Sequence, residues 1–378
     1  MRICLYTSTA LPKLGGQEAV VDSLARHLSL LGHHAVVLAP QPRRPLHARD
    51  DLLPYPVARH PRFYSTRRFI SFYRRWLLNL HRRERFDVIH CHDVYPTGYL
   101  AVLGKEALGI PIVITSHGGD VKEGNIRIIK PGMRPRYVRA VEQASAIISI
   151  AEFTADGCRK LSEWHAPMVT IPNGIDLEPF ATAAPRPNDL DNSIISGKYV
   201  LFLGRLKDRK GVDVLIDAIA RLPASDHPQC VIAGSGEDEQ MLRARAASAQ
   251  VENRVRFVGR VEGATKLYLL QNALCVVMPS RVWEAFPLVL LESYAAGKPV
   301  IGSDIPGIAD LIRREQTGLL VPQNSPDDLA IAIERMMRNP DEVKRMGENA
   351  KQVAQGYSWT AVTQQHIALY QRLARLAV

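Results

Sequence analysis

Cysteine is scarce in this chain of 378 residues: there are five, an odd number, scattered and never in a close pair. This pattern predicts neither a disulfide framework nor a zinc module, and it favours a reducing cytosol. The sequence also lacks a run of eighteen apolar residues, so no segment is expected to span a membrane. The apolar run in residues 1–10 is too short and wrongly flanked for a signal peptide, and it predicts a first strand.

The G-x-G-x-x-G fingerprint is also missing after the first strand. A nicotinamide dehydrogenase therefore loses its best support in the sequence. In its place, Gly15 and Gly16 separate the strand at 2–7 from an amphipathic helix at 17–31. Adjacent glycines let backbone amides approach a ligand, although an ordinary strand-to-helix turn also explains them.

Apolar runs recur along the chain at the spacing of strands that alternate with helices. In the first half they lie at 35–39, 88–91, 112–115, 146–150 and 168–171, and a second series begins at Tyr199. The alternation predicts an α/β fold with doubly wound parallel sheets, and the length suits two domains. We predict a first domain at 1–177 and a second at 198–360. Between them, residues 178–197 have no periodicity and are predicted to form a linker.

Two glutamates, Glu284 and Glu292, enclose an apolar segment that contains a helix start. Pro287 suits the first turn of a helix, because its φ is helical and its missing N–H would have had no partner there. The amides of Leu288 and Val289 would then point out of a positive helix end, which is a site for an anion. One carboxylate could bind a sugar ring and the other a ribose. Alternatively, both glutamates are ordinary surface charges on an exposed helix.

A second glycine-rich segment, 204–211, follows the predicted strand at 199–203 and precedes a helix at 212–222. The end of a strand that leads into a helix is where α/β sheets bind ligands. Arg205 offers a planar fork for phosphate oxygens, and Lys210 offers a mobile point charge. Together they could neutralise a diphosphate without a metal, although a solvated basic turn would have the same composition.

Five motifs in a fixed order carry a resemblance to a known family. They are Gly15-Gly16, His117-Gly118-Gly119-Asp120, the sequence IPNGID at 171–176, Gly204-Arg205 with Lys210-Gly211, and Glu284-Ala285-Phe286-Pro287 through Glu292. In this order they resemble the retaining, two-domain glycosyltransferases of family 4, over residues 2 to 360. The resemblance implies the GT-B fold, in which two Rossmann-like domains face each other across a cleft. The first would bind the acceptor and the second a nucleotide diphosphate sugar, and a terminal helix at 361–378 would cross back to the first.

The resemblance also implies roles for individual residues. His117, Glu284, Arg205 and Lys210 would be catalytic, with His117 positioning the sugar and stabilising positive charge through its backbone carbonyl. The base would be read by backbone at 258–261, which does not distinguish a UDP-sugar from a GDP-sugar. The implied donor-binding residues are Gly15, Gly16, Gly204, Arg205, Lys210, Gly234, Arg260, Val261, Glu284, Ala285, Phe286, Leu288, Val289 and Glu292.

The acceptor side would involve His92, Asp93 and Asp120. On a strand, His90 and His92 share one face, and His117 could join them from a neighbouring strand to bind a metal. We nevertheless expect no metal, because this histidine pattern commonly closes the strand in the family and two cations already meet the donor's charge.

Positive charge is concentrated in the first half of the chain. Residues 1–180 contain 24 lysines and arginines and 16 acidic residues. The segment from Arg59 to Arg85 contains nine arginines and one acidic residue, Glu84. Apolar and aromatic residues recur there at helical spacing, so the segment could lie on an anionic membrane. A helix packed on the domain with solvated arginines is the alternative. Nucleic acid is disfavoured, because no nucleic-acid motif accompanies the charge.

The sequence therefore predicts an enzyme of the cytoplasm or of the inner face of the cell membrane. It would move a sugar to a hydroxyl of a glycan, a lipid-linked acceptor or an envelope-polysaccharide precursor. A nucleotide-sugar epimerase, a phosphorylase of the same fold and a noncatalytic nucleotide-sugar-binding protein are the alternatives.

Overall fold

The structure, a computed structural model, describes residues 1–12, 15–42, 50–62, 66–119, 128, 130, 132–160, 167–188, 190–194, 199–223 and 229–376. The chain divides into two compact units. The first comprises Met1–Gly174 together with Trp359–Val378, and the second comprises Ile175–Ser358. Each unit contains a parallel sheet with helices, which confirms the predicted α/β class.

The first unit is built on a seven-stranded sheet whose order is β3-β2-β1-β4-β5-β6-β7. Its strands are short and apolar, and β1, β4, β5 and β6 are buried almost throughout, as expected for a parallel sheet covered on both faces. The strands are β1 (Arg2–Tyr6), β2 (His34–Pro40), β3 (Val57–His60), β4 (Val88–Cys91), β5 (Ile112–Ser116), β6 (Ala146–Ser149) and β7 (Met168–Thr170).

Helices connect these strands, and the terminal helix of the chain joins them. The helices are α1 (Gly16–Leu30), α2 (Ile70–Glu84), α3 (Tyr99–Val102), α4 (Lys105–Leu108), α5 (Arg134–Gln143), α6 (Glu152–Arg159) and, from the end of the chain, Trp359–Leu376. That last helix packs on α1, where the rings of His27 and Trp359 stack with centroids 6.2 Å apart. Its buried residues recur every three or four positions, which gives it one apolar face.

The second unit has a six-stranded sheet of order β10-β9-β8-β11-β12-β13. The strands are β8 (Tyr199–Leu203), β9 (Gln229–Ala233), β10 (Val255–Gly259), β11 (Cys275–Met278), β12 (Val300–Ser303) and β13 (Gly318–Val321). The helices are α7 (Val212–Arg221), α8 (Glu239–Ser248), α9 (Gly263–Asn272), α10 (Leu288–Ala295), α11 (Ala309–Glu315), α12 (Pro326–Arg338) and α13 (Pro340–Gly356). With these assigned, the terminal helix Trp359–Leu376 is α14.

The segment 178–197, predicted to be a linker, contributes to the second unit. Leu190 and Ile194 are buried in the same apolar cluster as Tyr199 and Tyr268. Arg186 donates to the backbone oxygens of Asp191 and Ile194 and so holds part of this segment in place. Among the described helices, none combines the length and apolar content that crossing a membrane requires.

Strand order reverses once in each sheet, beside the first strand of that sheet. The reversal lies between β1 and β4 in the first unit and between β8 and β11 in the second. Ligands of doubly wound sheets bind outside the carboxyl ends of the strands at such a point. The predicted residues of both units follow these strand ends: Gly15 and Gly16 after β1, His92 after β4, Arg205 and Lys210 after β8, and Glu284 after β11.

Candidate active site

Lys210 and Glu284 form an ion pair at the strand reversal of the second unit. Lys210 Nζ donates to Glu284 Oε1 at 2.5 Å, and Ser280 Oγ donates to the same oxygen at 3.0 Å. The Glu284 side chain is 11% exposed, so this carboxylate is held in one position by two donors. Arg209 Nη1 lies 3.7 Å away and adds positive charge. The pair unites a cation from the loop after β8 with an acid from the loop after β11, and both residues are among those that the sequence singled out.

Close backbone packing holds these loops together. A Cβ on Gly211, which follows Lys210 and has a φ of +64°, would lie 2.0 Å from the carbonyl oxygen of Pro279. A Cβ on Gly307, at a φ of +87°, would lie 1.6 Å from the carbonyl oxygen of Glu284. Only glycine fits both the conformation and the space at these positions. The approach of the backbones therefore sets where Lys210 and Glu284 meet.

The helix between the two glutamates begins at Leu288, one residue later than predicted. Pro287 is the N-cap residue, with φ −76° and ψ 110°, and no side chain caps the first turn. The predicted helical position of Pro287 was therefore wrong, because its backbone is still extended. Leu288 and Val289, both half-buried, supply the first amides of α10. An uncapped helix end of this kind attracts an anion through its amides and its dipole.

Phe286, which precedes Pro287, packs beside the start of α10. Phe286 and Val289 pack against the apolar cluster of the second unit. The ring of Phe286 also lies 5.9 Å from that of Tyr357. Ala285 is half-buried between Glu284 and Phe286. These contacts fix the direction from which the chain enters the helix.

Glu292, on the second turn of α10, is paired with a residue that the sequence did not single out. Lys266 Nζ, from α9, donates to Glu292 Oε1 at 2.6 Å, while Glu292 Oε2 is buried without a hydrogen-bond partner. Burial raises the pKa of Glu292 above its ordinary value, and Lys266 partly offsets this rise. A buried carboxylate oxygen without a hydrogen-bond donor is unfavourable. Oε2 can therefore accept a hydrogen bond from a ligand.

Arg205 and its neighbouring glycines lie at the carboxyl edge of the same sheet. The Arg205 side chain is exposed, and within the described part of the chain it forms no ion pair. The amide of Gly204 donates to Ala233 O at 3.0 Å, and that of Gly234 donates to Gly259 O at 2.7 Å. The ends of β8, β9 and β10 are thereby aligned, and Arg205 follows Gly204 at this edge.

A surface cavity of about 370 Å³ lies beside the segment predicted to contact the base. Its lining includes Val258, Arg260 and Val261, with Thr265 from α9. Arg260 is exposed and pairs with Glu262, so its side chain is anchored locally. The cavity therefore lies against this segment.

In the first unit, His92 and His117 are hydrogen-bonded neighbours. Their Nδ1 and Nε2 atoms are 3.3 Å apart, and the rings stack with centroids 5.5 Å apart. Burial lowers the pKa of His117 to about 4 and holds that of His92 well below its usual range. Both rings are therefore neutral at physiological pH. His92 Nε2 is buried and has no hydrogen-bond partner.

Two residues of the terminal helix α14 extend this histidine cluster. Tyr370 Oη is 2.6 Å from His90 Nδ1, and His90 Nε2 is 2.6 Å from Thr115 Oγ1. The His366 ring lies 5.7 Å from that of His90, and its Nδ1 donates to Val362 O at 2.9 Å. Burial lowers the pKa of His366 to about 4. The sequence missed this contribution, because nothing local to α14 indicates a partner 280 residues away.

Asp93 is committed to the local backbone. It accepts from Thr97 N at 2.7 Å, Thr97 Oγ1 at 2.9 Å and Ser8 N at 3.2 Å. These contacts cap the turn at Val94–Gly98 and tie it to the end of β1. Burial raises the pKa of the Asp93 carboxyl, and these hydrogen bonds partly offset the rise. Asp120, the other predicted acceptor-side acid, lies outside the described residues.

The start of α1 forms a polar edge next to these residues. Gly15 is the N-cap and no side chain caps the helix, which begins at Gly16. Gln17 Nε2 donates to His92 O at 2.7 Å, and Thr9 Oγ1 donates to Glu18 Oε1 at 2.5 Å. Gln17 and Glu18 were not among the predicted residues, because a polar residue early in a helix is commonplace. In the residues that the structure describes, no group of three His, Cys, Asp or Glu side chains is placed to bind a metal.

Known protein families match both units of the chain. A family model described as Glycosyltransferase Family 4 matches residues 14–179, and one described as Glycosyl transferases group 1 matches residues 192–353. The chain belongs to glycosyltransferase family 4. The two models divide between the two structural units, so the resemblance seen in the motifs is confirmed across the chain.

Several proteins are similar to this glycosyltransferase over most of its length. A phosphatidyl-myo-inositol mannosyltransferase of Mycobacterium tuberculosis is 29% identical, with 99% of this chain and 97% of that protein covered. A glycogen synthase of the same species is 30% identical, with 75% and 68% covered. The crystal structure of Anabaena HepE in complex with UDP superposes with a TM-score of 0.83 at 20% identity, covering 99% of this chain and all of that one. This last likeness confirms the GT-B fold.

The basic segment of this glycosyltransferase includes α2, whose apolar side packs on the first unit. Tyr73, Leu77 and Leu80 are buried, and Trp76 packs against the same cluster. Arg59 is not available to a membrane, because it forms an ion pair with Asp50 and donates to two backbone oxygens. The exposed arginines on and beside α2 are Arg68, Arg74, Arg75, Arg82, Arg83 and Arg85.

Proposed function

We propose that this enzyme transfers a hexosyl group from a nucleoside diphosphate sugar to an acceptor hydroxyl, with retention of configuration and without a metal. The observation that carries the proposal is the Lys210–Glu284 pair beside the uncapped end of α10. A cation for phosphate, an acid for sugar hydroxyls and a cluster of free amides are what a diphosphate sugar requires.

For the donor, the pattern of free hydrogen-bonding groups supports the assignment. Glu292 Oε2 is without a donor and suits a ribose hydroxyl. The backbone at 258–261 lies beside a cavity of about 370 Å³ that suits a base. The similar structure of Anabaena HepE contains UDP, which makes a uridine nucleotide the first donor to test. GDP-sugars are the second, since backbone contacts accommodate either base.

In the chemical step, each charge that develops on the donor is stabilised by a particular residue. The bond from the sugar C1 to the diphosphate breaks, and its electron pair goes to the diphosphate oxygen, whose charge Arg205 and Lys210 neutralise. The acceptor oxygen bonds to C1 on the same face, and its proton goes to the departing diphosphate. The low pKa of His117, about 4, makes its ring a poor general base. We assign its backbone carbonyl to the positive charge that develops on the sugar.

For the acceptor, we propose a glycan or lipid-linked hydroxyl, reached at the inner face of an anionic membrane. Six exposed arginines on and around α2 support this, because each basic residue near an anionic surface adds about 1 kcal/mol. The printed name of the mycobacterial relative, a phosphatidyl-myo-inositol mannosyltransferase, agrees with a lipid acceptor. The contact would be electrostatic, because the aromatic residues of α2 pack on the domain.

Release of nucleoside diphosphate from a panel of UDP- and GDP-sugars, with and without lipid acceptors, tests the proposal. We expect one donor to release its diphosphate in an acceptor-dependent way, and NMR of the product to show the anomeric configuration of the donor. EDTA should leave the rate unchanged. Inversion at C1 would contradict the retaining assignment, and loss of activity with EDTA that a divalent ion restores would contradict the metal-free one.

A further inference from the structure

Arg281, in the loop after β11, forms hydrogen bonds with three separate segments of the second unit. Its Nη1 donates to Asp208 O at 2.7 Å and to Asp208 Oδ1 at 2.8 Å. Its Nη2 donates to Asp213 Oδ2 at 2.5 Å, and its Nε donates to Asn324 Oδ1 at 2.7 Å. Its backbone amide donates to Arg209 O at 2.9 Å. The guanidinium is thus committed to neighbouring protein groups and is 22% exposed.

These contacts join the two loops on which the donor site is built. Asp208 and Arg209 immediately precede Lys210, and Arg281 stands three residues before Glu284. Asp213 lies in the first turn of α7, just beyond the same loop. Arg281 is therefore a direct link between the segment that carries the cation and the segment that carries the acid.

Lys210 and Glu284 alone do not determine their own alignment. An ammonium group on a four-carbon stem is a mobile point charge and can follow its partner through many geometries. A guanidinium that bonds two segments through a planar fork restricts their relative position. The backbone contact between Arg281 and Arg209 adds to this restriction at the point where the loops are closest.

We propose that Arg281 is a positioning residue, which holds the Arg205–Lys210 loop against the Ser280–Glu284 loop so that Lys210 and Glu284 meet the diphosphate and the sugar together. This inference rests on the proposed function of the Lys210–Glu284 pair. Arg281 does not itself contact the donor in this assignment, because its hydrogen bonds are directed to protein groups.

Arg281→Lys is the first test, because it keeps the charge and removes the fork. A misplacement of about 1 Å can cost a factor of about 100 in rate, so we expect kcat to fall by about that factor. The donor KM should change much less, because Glu292 and the base-contact segment belong to other elements. Guanidinium chloride at millimolar concentration should restore part of the kcat of Arg281→Ala, since it can occupy the vacated site.

Arg245→Lys is the matched control. Arg245 forms a two-point contact with Asp217, one turn further along α7 from Asp213, at 2.7 and 2.5 Å. It joins α7 to α8 and does not contact either loop. Its replacement removes a two-point ion pair from the same unit and should leave kcat unchanged.

Three outcomes decide the inference once the wild-type protein has been shown to release nucleoside diphosphate. A fall in kcat with an intact fold and guanidinium rescue supports the positioning role. Unchanged kcat in Arg281→Lys overturns the positioning role. A loss of kcat that accompanies a loss of folded protein, and that guanidinium does not restore, also overturns it. A wild type that releases no diphosphate from any donor contradicts the proposed function instead, whatever the variants do.

Discussion

Lys210 Nζ and Glu284 Oε1 are 2.5 Å apart, although 74 residues separate them in the chain. They come from the loops after β8 and β11, the two strands between which the order of the second sheet reverses. In this pair each group neutralises the charge of the other. With a diphosphate sugar bound, Lys210 would contact the phosphate oxygens and Glu284 would contact the sugar hydroxyls.

Arg205→Ala should lower kcat by a factor of about 100 or more, because one well-placed group that stabilises developing charge contributes about 3 kcal/mol. The fold should survive, since Arg205 is exposed. Lys207→Ala is the control: it removes a cation from the same loop, but one that pairs with Glu237 at the surface. Steady-state kinetics would measure kcat for both variants. Equal losses of kcat in the two would contradict the assignment of Arg205 to the diphosphate.

Glu284→Gln should mainly change kcat, and Glu292→Gln should mainly change the donor KM. We expect Glu284→Gln to depress kcat, because its partner is the sugar that reacts. Glu292→Gln should mainly raise the donor KM, because a ribose contact acts alike in the ground and transition states. Kinetics over a range of donor concentrations would separate the two effects. If neither variant changed kcat or KM, the assignment of the two glutamates to donor binding would be wrong.

Lys266→Met should make donor binding depend on pH. Burial already raises the pKa of Glu292, and Lys266 lowers it, so removal of the lysine should raise that pKa further. Donor KM should then be high at low pH, where Glu292 is protonated, and fall as the pH rises through its pKa. Lys207→Met is the control. Parallel KM profiles for Lys266→Met and the wild type would show that Lys266 does not tune Glu292.

Acid should destabilise the first unit through its buried imidazoles. The pKa of His366 is about 4 in the folded chain and ordinarily 6.5, so the unfolded state binds more protons between these values. The contribution of the neutral, buried His366 ring to the stability of the folded state is fully present above about pH 6.5 and is lost as the pH falls towards 4. For this ring, 5% exposed, the loss is on the order of 3 kcal/mol.

Melting temperatures from pH 4 to 8 would measure this loss. In His366→Phe the decline below pH 6.5 should be shallower, because one of the groups that must be protonated is gone. His27→Phe, which removes a histidine outside the cluster, should retain the wild-type slope. A melting temperature independent of pH below 6.5 would mean that the imidazoles are not buried as described.

Replacement of Arg68, Arg75 and Arg82 together by glutamine should release the protein from phosphatidylglycerol vesicles. At about 1 kcal/mol for each arginine, the affinity should fall by a factor of about 100. Added salt should act likewise, because screening at physiological ionic strength extends over roughly 8 Å. Sedimentation with vesicles measures both effects. Replacement of Arg243, Arg335 and Arg338 on the second unit is the control, and an absence of wild-type binding at low salt would contradict the membrane contact.

Trp76→Ala distinguishes the two faces of α2. Because Trp76 packs against the core of the first unit, its removal should lower the stability of that unit by about 2 kcal/mol. Vesicle binding by the fraction that remains folded should be unchanged. Thermal unfolding and sedimentation check these two results, and loss of binding by a fully stable variant would mean that the ring inserts into lipid.

Local patterns in the sequence were enough to predict the α/β class and the positions of most strands. The strand predicted at 112–115 is Ile112–Ser116, and the helix predicted to include Pro287 begins one residue later, at Leu288. Such agreement is expected, because apolar runs and glycine turns act over a few residues. The order of the five motifs identified the family, and the family models confirm it.

By itself, the sequence singled out the polar residues of the second unit that could bind a donor: Arg205, Lys210 and Glu284 after predicted strands, and Glu292 on the second turn of a predicted helix. Only the tertiary structure decided which of them meet and what supports them. Lys266 reaches Glu292 across 26 residues, and Tyr370 reaches His90 across 280. No periodic signal marks such contacts, because a hydrogen bond between distant segments depends on how the elements pack and leaves no pattern near either residue.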